Sequence, residues 1–171
     1  MTEPAVRKPP PAEPWPEDCS KTTTRAATGV ALEIPPVIRW RADQPVVPVD
    51  VRIANRSDHP VFMNTRMQRG APQDLSYEVT VALTDATGRN VAVETYTQTG
   101  FPVAANYQQI APGSELHVVD FIRRKDFRIN SGTYRLKYCF FDGFEGAPVA
   151  PEGAALVRGP VTSQISTVVV E

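Results

Sequence analysis

The run Asn130-Ser-Gly-Thr-Tyr-Arg-Leu-Lys-Tyr-Cys-Phe-Phe141 most narrowly constrains what this chain can fold into. Tyr134, Leu136, Tyr138 and Phe140 fall on one side of a period of two, and Arg135, Lys137 and Cys139 on the other. That alternation predicts a strand with one buried face. Asn130-Ser-Gly132 supplies the turn before it, because glycine takes backbone angles other residues avoid.

The same periodicity recurs along the chain. Val47, Val49, Val51 and Ile53 alternate with Pro48, Asp50, Arg52 and Ala54, and residues 46–66 read as a hairpin whose second arm starts at Val61. Tyr77, Val79, Val81 and Leu83 predict another inward face, closed by a turn at Asp85–Gly88. Leu116–Phe121 is a strand of ambiguous facing, followed by a short helical or turn crossover over 121–127. Val161–Val170 is rich in β-branched residues and predicts the last strand. Val30–Arg41 reads as an edge strand broken at Pro35-Pro36, since proline donates nothing to a ladder. Such a break lets the chain pass from one sheet to another. Seventeen prolines and the near-absence of helical periodicity point the same way, to an all-β antiparallel sandwich.

Six of the seventeen prolines lie in the first sixteen residues. Residues 1–29 therefore read as a proline-rich, disordered leader, with Lys8-Pro-Pro-Pro11 favouring polyproline II and Trp15 as an anchor if a proline-reading groove binds it. Residues 30–171 are the sandwich domain. Cys19 in the leader and Cys139 on the strand facing away from the tyrosines are either a disulfide that pins the leader or two unpaired thiols, depending on compartment.

Several function classes are disfavoured. A net charge of −1 lacks the basic excess of a general nucleic-acid binder. No apolar run reaches the roughly 18–20 residues of a membrane span. The first thirty residues lack the apolar stretch of a signal peptide, so the chain is cytoplasmic or has lost its signal; an extracytoplasmic location is favoured. His59 and His117 lack zinc-ligand spacing. His59 with Met63 and Met67 is the only soft-donor grouping, more readily explained as turn plus packing. Asp142, Glu145 and Glu152 lack the spacing of a calcium loop. No nucleophile motif or phosphate-binding glycine loop is present, so no enzyme activity and no cofactor are expected. Asn55-Arg-Ser57 matches a glycosylation acceptor. Arg123-Arg-Lys125, Arg128, Arg135 and Lys137 are the basic concentration, either a solvated corner or a surface for an acidic partner.

Asn130-Ser-Gly-Thr-Tyr134 resembles the turn and tyrosine that open strand F of immunoglobulin-like domains. Arg56-Ser-Asp-His-Pro60 is similar to the B–C turn of bacterial members, and Pro112-Gly-Ser-Glu115 to the turn into strand E. The resemblance implies an immunoglobulin-like antiparallel β-sandwich with Tyr134 bonding back to its corner. Leu136 stands where antibody-type domains place a cysteine, so no inter-sheet disulfide of that kind is implied.

The resulting expectation is a non-enzymatic protein-binding module using end loops or a sheet edge. Its lead site is the loop 142–160, through Phe144, Leu156, Val157 and Arg158; deletion of 146–157 is expected to spare the fold and abolish binding. The alternatives are a small sandwich proteinase inhibitor and a structural part of a cell-envelope or secretion assembly.

Overall fold

The computed structural model describes residues 19, 29–69, 78–92, 104–143 and 146–171. Eleven strands and one single-turn 3-10 helix are formed among them, with no α-helix. The leader other than Cys19 and Gly29, and the expectations placed on Trp15, Tyr77, Phe144 and Glu145, lie outside the described residues.

The first sheet is β1 (Val30–Glu33), β3 (Val46–Asn55) and β7 (Glu115–Arg123), in the order β1-β3-β7. The second is centred on β8 (Gly132–Phe140). Along one edge of β8 runs β5 (Val79–Thr84); along the other run β10 (Val161–Thr162) and β11 (Ser166–Val170). Outside β11 lies β2 (Val37–Trp40), paired in parallel. A third, small sheet has the order β6-β4-β9, from β4 (Val61–Asn64), β6 (Tyr107–Ile110) and β9 (Ala155–Leu156).

Each ladder follows from its alternation. Val47, Val49, Val51 and Ile53 are buried, and they meet Leu136, Tyr138 and Phe140 of β8 in one core. Such packing of two inner faces is the sandwich arrangement. Trp40 closes one part of this core edge-on to Phe127, with ring centroids 6.4 Å apart. The break at Pro35-Pro36 does switch sheets: β1 pairs with β3, whereas β2 pairs with β11. Gln164 and Ser166 stabilise the crossing by bonding Ile34 and Pro35 main-chain groups.

Two expectations about neighbours are corrected. Residues 46–66 are not a hairpin, because both edges of β3 are already taken by β1 and β7. Asn55 is buried and ends the strand: its amide donates to His59 O (2.9 Å) and Ile110 O (3.0 Å), directing β4 into the third sheet. The last strand is two, β10 and β11, separated at Ser163–Ile165, where Ser163 Oγ accepts the Tyr138 N–H (2.9 Å). The crossover after Phe121 shrinks to the 3-10 turn Arg124–Asp126, since β7 continues to Arg123.

Candidate functional site

Among the described strands, the outer edge of β7 is a candidate surface for a partner. This nine-residue strand pairs only with β3 among the described strands. The flanking bonds set its parity: Asn55 N–H reaches Ser114 O (3.0 Å) and Arg124 N–H reaches Pro45 O (2.8 Å), so even-numbered residues address β3. The main-chain groups of Glu115, His117, Val119 and Phe121 therefore face away from it. Their side chains lie on the solvent side, where Val119 is 53% and Phe121 57% exposed. Arg69 covers one end of the edge, donating to Phe121 O (2.6 Å) and pairing with Asp120 (2.7 Å). Asp120 points inward and accepts the Tyr138 hydroxyl across the sandwich (2.7 Å). A cavity of about 390 Å³ separates Val118–Asp120 from Thr65–Gln68, Ala104 and Asn106. Unpaired strand groups beside such a gap can take an added strand.

The other end of this face is charged. Arg52 bridges Glu33 and Glu115, and Arg56 also meets Glu33. His117 lies between Glu115 and Asp50, each at 3.2 Å, and hydrogen bonding first to Glu115 and then to Asp50 raises its pKa above the usual histidine value. A cavity of about 680 Å³ opens beside this rack and the crossing at Pro35-Pro36.

The residues singled out in loop 142–160 are drawn into the structure. Val157 is fully buried and its N–H reaches Phe62 O (2.8 Å), so it cannot meet a partner. Leu156 is half-buried in β9, paired with Phe62. Arg158 donates to Asp142 O (2.8 Å). Deleting 146–157 would thus remove β9 and a core side chain, which corrects the expectation that the fold would survive. Val149 in this loop is 80% exposed.

Cys19 and Cys139 form a disulfide. The Tyr134 hydroxyl donates to Asn130 O (3.1 Å) and accepts Asn130 N–H (3.0 Å). The soft-donor grouping is not assembled: Met63 and Met67 are buried in the core while the His59 ring is exposed beside Asp58. The Asn55 amide is buried and bonded, so folded Asn55 presents no glycosylation acceptor. Asp142 is buried and accepts the Tyr107 hydroxyl (2.5 Å); burial first, then Asp142, push the Tyr107 pKa up. Glu152 is exposed, away from any such bond. No cluster of three or more metal-ligating His, Cys, Asp or Glu side chains occurs among the described residues.

Sequence reasoning missed the β7 edge. Its signal was the ambiguous facing of Leu116–Phe121, where apolar residues occupy both parities; one parity enters the core and the other, Val119 and Phe121, stays outside.

No family model matches the chain, and no curated protein matches it. Among solved structures it is similar to the CARDB domain of a Pyrococcus furiosus protein. A solution structure of that domain is 13% identical, with a TM-score of 0.39, over 83% of this chain and 94% of that chain. A crystal structure of the domain in complex with di-metal ions is 14% identical, with a TM-score of 0.39, over 90% and 97%. A likeness at this level assigns no function.

Proposed function

We propose that this protein is a non-enzymatic, immunoglobulin-like interaction module that binds a protein partner along the outer edge of β7. The observation that carries the reading is the nine-residue strand paired on one side, with Val119 and Phe121 exposed beside it. An extended partner segment would add main-chain bonds at His117 and Val119, and its alternate side chains would rest on Val119 and Phe121. The reading assigns no catalysis, no cofactor and no nucleic acid. The disulfide supports an oxidising, extracytoplasmic setting.

The test is a photo-crosslinking amino acid at position 121 of the full chain, expressed in its native source. A discrete protein adduct that disappears on Val119→Asp, yet persists on Val149→Asp, is expected. Absence of any adduct, or an adduct indifferent to Val119→Asp, rules the edge out.

A further inference from the structure

Past Phe121 the β3–β7 ladder ends at the pair Val46 and Arg123. There the chain segments 42–46 and 123–125 border an open cavity of about 570 Å³. That size falls within the roughly 300–1,000 Å³ of small-ligand sites. Its walls are tied by bonds that need no ligand. Arg124 N–H donates to Pro45 O (2.8 Å), Gln44 N–H to Arg41 O (3.0 Å), and the Trp40 indole N–H to Gln44 O (2.9 Å).

The charges around it are unevenly matched. Asp43 is engaged by Arg41 (3.1 Å), and Arg123 by Asp126 (3.0 Å). Arg124 and Lys125 have no acidic partner among the described residues. The Nη1 of Arg124 is buried and donates to no acceptor. That atom itself is closed to solvent, but Arg124 is only half-buried and Lys125 is exposed, so both charges can be met from the cavity. The remaining lining is Ala42, Gln44, Pro45 and Val46, apolar except at Gln44.

We propose that this cavity binds a carboxylate carried on an apolar body. The planar fork of Arg124 takes the carboxylate, Lys125 adds a second positive charge, and Pro45 and Val46 receive the apolar part. The site is separate from whatever lies along the β7 edge and stands or falls without it. The same chemistry is offered by an acidic side chain within a partner peptide and by a small free carboxylate.

Both sources are tested by amide-resolved NMR titration of the full, disulfide-bonded chain with 4-phenylbutyrate, its neutral amide 4-phenylbutyramide, and acetyl-Phe-Asp-amide. The carboxylates are expected to shift the amides of 42–46 and 123–126 saturably, with Kd values on the order of millimolar for ligands of this size. The neutral amide should leave them in place. Arg124→Gln with Lys125→Gln should weaken binding at least about tenfold, as loss of a charge-assisted pair implies, in a variant whose spectrum stays native elsewhere. The single Lys125→Gln variant provides a milder check. Tighter binding of the peptide identifies a protein source, and tighter binding of phenylbutyrate a small molecule; either upholds the site. Shifts that do not saturate, equal binding of the neutral amide, or unchanged affinity in the double variant would overturn it.

Discussion

Cys19 and Cys139 are joined across 120 residues of sequence, with their Cα atoms 5.9 Å apart. Cys139 projects from the outer face of β8, and Cys19 packs there with Ala82 of β5. The bond thus anchors a point of the leader on the second sheet. Ala82 is buried in that cluster, and the neighbouring Thr80 is buried as well.

Closing so long a loop removes much of the unfolded chain's freedom. Reduction, or Cys19→Ser with Cys139→Ser, is expected to lower stability by about 2–5 kcal/mol. Denaturant unfolding with and without reductant measures this. A midpoint unmoved by reductant would show that the crosslink adds nothing to the fold.

Tyr134 closes a corner four residues long, its hydroxyl both donating to and accepting from Asn130. Tyr134→Phe keeps the ring and removes both bonds. It should cost about 1–2 kcal/mol, two ordinary hydrogen bonds in a partly exposed setting. The variant should otherwise keep the parent's near-ultraviolet spectrum. A loss no larger than that of a surface substitution would reduce the corner to a geometric coincidence.

His117 meets carboxylates at both ring nitrogens, and only the imidazolium can donate from both. Glu115 first, then Asp50, raise its pKa above the unfolded value of about 6.5. With the folded pKa raised, the stabilisation is complete below that unfolded value. It fades as pH rises through the folded one. Ring-proton NMR should show titration above 6.5, and Glu115→Gln should move it down. A ring that titrates at or below the unfolded value would exclude the paired geometry.

What the sequence disclosed was facing, and what it withheld was neighbours. Period-two patterns placed Val47–Ile53 and Leu136–Phe140 inward, and Pro35-Pro36 marked the change of sheet. Alternation says which side a residue takes and nothing about which strand lies beside it. That is why the pattern over 46–66 reads as a hairpin, whereas the strand that starts at Val61 pairs with β6 and β9. Val157 failed as a surface residue for a related reason: proline and glycine around it signalled a loop, yet a loop can still send one side chain into the core. Apolar residues of both parities in Leu116–Phe121 hint at an outward apolar face, but the openness of the β7 edge is the absence of a partner strand, which no local pattern records.

One buried acid ties the end of β4 to the start of β5. Glu78 is 1% exposed, and its carboxylate accepts from the Asn64 amide (2.8 Å), Arg66 Nε (3.1 Å) and the Gln68 N–H (3.2 Å). These donors lie at the end of β4 and just beyond it, while Glu78 immediately precedes β5. The Arg66 side chain is only 9% exposed, so removing the acid takes a counter-charge from a guanidinium in a dry setting. Glu78→Ala should therefore cost about 3–5 kcal/mol, the penalty of breaking a buried pair from one side. Glu78→Gln keeps an acceptor for Asn64 or Gln68 and should cost less, though Arg66 still loses its counter-charge. Urea unfolding of both variants beside the exposed control Glu152→Ala gives the ranking. If Glu78→Ala matched the control, the third sheet would be held by Val61, Met63 and Ile110 in the core, with the carboxylate only decorating the joint.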